Sequence, residues 1–153
     1  MYQPTASCPP QQPVMLCPAA VTDPDLLGGV LSVLSDQDLA KVGVLVNEHT
    51  QQRLQASVLA ELRTVVAQAI EDGEAESPAE VTQVRVHVRQ VDSMPPYWSA
   101  RNLTLRHADG ISTFCYDASH TDLDVLLTDY TCVNQPSDAD VLTIDLHTGR
   151  FHH

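Results

Sequence analysis

Apolar residues recur at helical spacing over 36–72, and beyond Pro78 the spacing shortens to two, so the chain passes from helix to strand near its middle. Leu39, Val42, Leu45 and Val46 form one apolar face, Asn47 to Arg53 is a polar interval, and Leu54, Val58, Leu62, Val65, Ala69 and Ile70 resume the pattern. No proline interrupts this run, and Gly73 is placed to end it in the left-handed region. The spacing favours one long or kinked helix, with two helices joined through the polar interval as the alternative. One helix would be roughly 50 Å long at 1.5 Å per residue. A small sheet cannot cover that length, so a second copy packing along the helix is expected, giving a homodimer. Ser35 and Asp38 supply a near capping box at its start. A shorter helix is predicted to begin at Thr22 or Asp23, with Pro24 near its first position. Its apolar stripe is Leu26, Leu27, Val30, Leu31 and Leu34, weakened at Gly28 and Gly29 by about 1 kcal/mol each.

After the linker around Glu74–Pro78, Val84, Val86 and Val88 alternate with Arg85, His87 and Arg89, the pattern of a half-buried strand with a basic outer face. Met94 to Trp98 reads as a loop. Leu103 and Leu105 mark a second strand, and Ala108-Asp109-Gly110 a hairpin turn that returns Ile111 to Tyr116 as a third. Ser119 is placed to cap a short helix with Leu123, Leu126, Leu127 and Tyr130 on one face. Leu142, Ile144 and Leu146 form the last strand, and Thr148-Gly149 turns Phe151 back toward the sheet. The fold class is therefore α+β: N-terminal helices, one of them long, packed on a three- to four-stranded antiparallel sheet, with a short helix in the C-terminal half. Residues 1–21, rich in Pro and Gln, read as a flexible arm before a single domain over 22–153, helical over 22–72 and sheet-forming over 81–151.

Charge narrows the functional classes. The net charge is −12, and Lys41 is the only lysine. Direct nucleic-acid binding needs clustered cations and is not expected, and an acidic membrane surface would repel the chain. No apolar run is long enough for a membrane span, no Lys or Arg precedes Lys41, and Pro4, Pro9, Pro10, Pro13 and Pro18 break any signal-like core, so a cytoplasmic location is expected. The four cysteines, Cys8, Cys17, Cys115 and Cys132, lack paired metal spacing and are expected as free thiols, with Cys115 buried in its strand.

Asp122 with Asp124, and Asp138 with Asp140, are the obvious carboxylate pairs. From His107 to Gly149 there are eight Asp and no Lys or Arg, whereas Arg85, Arg89, Arg101 and Arg106 lie just before. An acidic surface of this kind can steer a partner with a basic surface. Tyr97 and Trp98, beside two prolines, are candidate binding anchors, with Trp98 in the core as the alternative. Asp145 and His147, two apart in a strand, would share a face, and His120, Cys115 or Cys132 folding nearby would make a hydrolytic or metal site. No cofactor motif is present and no catalytic residue is assigned. The expected function is a small acidic non-enzymatic protein-binding module, such as an inhibitor or accessory factor of phage or mobile-element type. A small metal-dependent or His/Asp hydrolase using the 107–147 segment is the alternative.

Overall fold

The computed structural model describes residues 23–74 and 80–153; the predicted arm, Cys8, Cys17 and most of the linker lie outside the described residues. The chain divides into two units, one ending at Gly43 and one spanning Val44–His153.

In the first unit, α1 (Pro24–Leu31) starts where Asp23 accepts hydrogen bonds from the amides of Asp25 and Leu26, with Pro24 in the first turn. None of its side chains is buried. After four intervening residues α2 (Asp36–Glu71) begins. The Ser35 hydroxyl accepts from the Asp38 amide at 3.2 Å, the N-cap half of the box, while the Asp38 carboxylate accepts the Ser35 hydroxyl at 2.7 Å in place of its backbone amide. Lys41 lies 3.0 Å from the same carboxylate.

α2 is a single helix, and its polar interval is a set of exposed turns rather than a break. Within the second unit its buried face is Val58, Leu62, Val65, Val66 and Ala69. Gly73, at φ +77°, ends it as expected, with the Glu74 amide reaching back to the Ala69 carbonyl at 3.1 Å.

β1 (Val81–Arg89), β2 (Tyr97–His107), β3 (Thr113–Tyr116), β4 (Val141–Asp145) and β5 (Phe151–His152) form one antiparallel sheet in the order β3-β2-β1-β4-β5. This is one strand beyond the expected range, because Phe151 does turn back and pairs with Ile144. A row of apolar side chains crosses all five strands: Phe114, Leu105, Val84, Ile144 and Phe151. These rows and the buried face of α2 belong to one core cluster. α3 (Asp122–Val133), capped by Thr121 rather than Ser119, adds Leu123, Leu127 and Tyr130 to it.

Two boundaries differ from the sequence reading. β2 starts at Tyr97 rather than after a loop, and its pairing with β1 is irregular: Arg85 pairs with Thr104 but His87 with Ser99, two residues on β1 against five on β2. That bulge switches the inward parity of β2, so that Trp98, Ala100, Leu103 and Leu105 are all buried. Simple alternation could not show Trp98 and Leu103 facing the same core.

Gly149 closes the turn from β4 to β5 at φ +70°, and a Cβ there would sit 2.9 Å from Leu59 Cδ2 on α2. Gly149→Ala should destabilise by about 1–2 kcal/mol from the left-handed backbone alone, with the contact to Leu59 adding to it. Urea unfolding of the variant should show a lower midpoint, and an unchanged midpoint would contradict this geometry.

Candidate functional site

Within the second unit, α2, α3 and the inner apolar rows share one core, which leaves the other face of the sheet with a different set of side chains. On it, Cys115, Thr104, Arg85, Thr143 and His152 form a continuous row across all five strands. A neighbouring row carries Thr113, Arg106, Gln83 and Asp145, and beyond Arg85 along β1 lie His87 and then Arg89, which pairs with Tyr97. The His87 ring is held 2.9 Å from the Thr104 hydroxyl. Arg106 donates to the Gly110 carbonyl at 2.8 Å. Arg85 and Arg89 are exposed, whereas the threonines of β2 and β4 are half-buried between neighbouring side chains. Among the described residues of this unit, no helix contributes a buried side chain to this face. It is therefore a polar platform with arginines at several points, in a chain whose net charge is −12.

The candidate carboxylates lie elsewhere, and most of them have local structural work. Asp124 accepts from the Ala100 amide at 3.2 Å, across the bulge of β2, which is where α3 meets the sheet. Asp140 accepts from the Ser137 amide at 2.7 Å. Asp122 lies in the first turn of α3, favourable for a carboxylate because of the helix dipole, and Asp138 is an exposed loop residue. Asp109 accepts from the Ile111 and Ser112 amides, Asp117 from Ser119, and Asp145 from His147 and Thr148. Five of the eight Asp in this segment thus accept backbone hydrogen bonds. Turn and cap chemistry accounts for much of the acidic run.

Trp98 is fully buried: its indole N–H donates to the Asn134 carbonyl at 3.0 Å, and its ring lies 5.8 Å from that of His153. It offers no exposed anchor. Tyr97, one residue earlier, points to the open face and is half-buried there. Alternation along a strand separates the two rings that the sequence grouped together.

The alternative constellation does not assemble. Asp145 ends β4, and His147 lies in the turn beyond it, so the two no longer share a strand face. The Asp145 carboxylate accepts the backbone amide of His147, at 3.0 Å, rather than orienting its ring. Cys115 lies on β3, three strand spacings from β4, roughly 14 Å away. It is exposed, contrary to expectation, because Phe114 and Tyr116 take the inward positions. His120 lies in the loop before α3, and Cys132 on α3 itself, donating to the Thr128 carbonyl. Among the described residues, no three His, Cys, Asp or Glu side chains gather as metal ligands. A cleft of about 420 Å³ opens beside Arg63, Val66, Ile70, Val81, Leu146 and His147. Glu80 and Thr82 also line it, and its arginine is turned onto the Leu146 carbonyl at 2.7 Å.

No family model matches the sequence, and neither a curated protein nor a solved structure matches it. No helix among the described residues is long and apolar enough to cross a membrane.

Hydrogen bonds from the Ser112 hydroxyl, then from the Ser112 and Ile111 amides, lower the Asp109 carboxyl from its ordinary 3.8 to about 2. Hydrogen bonds from Ser119 lower Asp117, and those from Thr148 lower Asp145. A carboxylate with a depressed folded-state pKa contributes stability that is complete above its unfolded value and lost as pH falls through the folded one. The stability supplied by Asp109 should therefore disappear between pH 3.8 and about 2. Urea midpoints should fall over that window, and Asp109→Ala should be less stable at neutral pH with a shallower acid decline. Parallel acid profiles for the two proteins would contradict this assignment.

Proposed function

We propose that this chain is a non-enzymatic protein-binding module whose docking surface is the open face of its sheet. The observation that carries the reading is the five-strand row Cys115–Thr104–Arg85–Thr143–His152, which presents hydrogen-bonding and cationic groups on a regular grid. An open sheet face lined with short hydroxylated side chains suits recognition of a partner surface better than enclosure of a small substrate. The geometry also favours this face over the acidic loops, since Asp124 and Asp140 are occupied by backbone amides. Exposed thiols at Cys115 and Cys132 fit a reducing compartment such as the cytoplasm.

The test is capture of partners from the native host by three proteins: wild type, Thr104→Glu/Thr143→Glu on the open face, and Asp122→Asn/Asp138→Asn on the acidic loops. Circular dichroism verifies that each variant is folded. The open-face variant should lose the captured partner and the loop variant should keep it. The reverse result would assign docking to the acidic surface and remove this reading.

Self-association through α2 is a separate proposal, supported by one specific feature. Val44, Leu45 and Val46 are 58%, 63% and 61% exposed. At about 100° per residue, Leu45 and Val46 lie well away from the face that Val58, Leu62 and Val65 bury against the sheet. Sedimentation equilibrium should show a dimer for the wild type and a monomer for Leu45→Glu/Val46→Glu. A wild-type monomer at tens of micromolar would exclude it.

A further inference from the structure

We infer that the occupant of the open face is an extended, acidic protein segment with carboxylates at alternate positions, laid along β1; this rests on the open-face reading above. Arg85, His87 and Arg89 are successive outward residues of one strand, so their side chains repeat at about 6.8 Å. Arg106, on the neighbouring strand one row away, extends the cationic stripe beyond Arg85, and Tyr97 flanks its other end beside Arg89. An extended peptide presents its own alternate side chains with the same repeat, so a Glu-x-Glu-x-Glu pattern places one carboxylate opposite each of the three β1 positions. Arginine pairs with carboxylates in a forked geometry, and the Thr104 and Thr143 hydroxyls on either side of Arg85 can serve the backbone of such a segment.

Asp145 stands on this face at the row of Gln83 and Arg106, where its carboxylate accepts the His147 and Thr148 amides and keeps its charge; it lies beyond Arg85, on the side away from His87 and Arg89. The first 22 residues of the chain contain no Asp or Glu, so that arm lacks the charge to fill the site. Single-stranded nucleic acid is the competing polyanion. Its usual platforms stack successive bases on several aromatic rings, whereas among the described residues the stripe carries one phenol ring, Tyr97, and the His87 imidazole, which is held by Thr104.

The experiment uses the full chain and fluorescence anisotropy. The probes are a fluorescein-labelled decapeptide of alternating Glu and Thr, its Gln-Thr counterpart and an oligo-dT of similar length. The Glu-Thr peptide should bind saturably, and about tenfold or more tighter than the Gln-Thr peptide. Arg85→Glu/Arg89→Glu should weaken it by a similar factor. Lys41→Glu/Arg53→Glu, which makes the same change in net charge on α2, should leave affinity within about twofold. Thermal unfolding checks that both double variants fold. Equal affinity for the two peptides, equal weakening by both double variants, or tighter binding of oligo-dT overturns the inference. If neither peptide binds while partner capture still depends on Thr104 and Thr143, the acidic occupant is wrong and the open-face reading stands. Partner capture that is indifferent to those two threonines removes the open-face reading itself.

Discussion

Val84 is paired on both sides, with Leu105 and with Ile144, and all three are fully buried. The rest of the second unit is organised around that central contact. A strand has a period of two, so fixing Val84 inward fixes Val86 inward as well and sends Arg85 and His87 to the opposite face. Each fully buried aliphatic side chain contributes about 1.5–3 kcal/mol relative to exposure. A one-residue slip of β1 would reverse every one of these positions and bury arginine, so the register is strongly determined. The cationic stripe is thus a consequence of the same alternation that builds the core, and it cannot be moved without dismantling the sheet.

The aspartates follow a different logic. A short sheet with five strands needs tight connections, and each connection leaves backbone amides without a ladder partner. Asp109 in the β2–β3 turn, Asp117 after β3 and Asp145 after β4 take those amides. Asp124 does the same for Ala100, where the bulge of β2 removes its regular partner. Acidic charge in the last third of the chain is therefore largely the by-product of closing turns, although the carboxylates keep their charge and their contribution to solubility.

Much of this fold could be read from the sequence where a single strong periodicity ruled. The Val84–Arg89 alternation, the α2 stripe from Leu54 to Ala69, the Gly73 stop and the Asp109-Gly110 turn all depend on local chemistry, and the structure has them in place. Trp98 was harder, because its side is set by the bulge between Ala100 and Leu103, a long-range pairing feature with no local marker. The proline pair before Tyr97 looked like a loop and hid the start of β2. Arg85 and Arg89 were visible as an outer face. That Thr104, Thr143 and Cys115 share their row required the register of three hairpin and crossover pairings. Asp145 and His147 failed as a dyad for a simple reason: the strand ends at Asp145, and the rule of two applies only within a strand.

The sign of the whole chain and the sign of one face need not agree, and distance decides which one a partner meets. At physiological ionic strength, charges more than about 8 Å apart are largely screened from each other. An approaching acidic segment is repelled by the −12 only weakly, and only until it comes within that range of the sheet. At contact, in the proposed docking, it would meet Arg85 and Arg89, with Arg106 and the charged Asp145 one row beyond. Long-range repulsion with local attraction slows encounter without weakening the final contact, and it disfavours partners that carry negative charge everywhere. Polyanions such as nucleic acids stay repelled along their whole length, whereas a protein with a short acidic strip does not. Under the proposed docking, the global charge would add only a weak selection against polyanions to a locally basic surface.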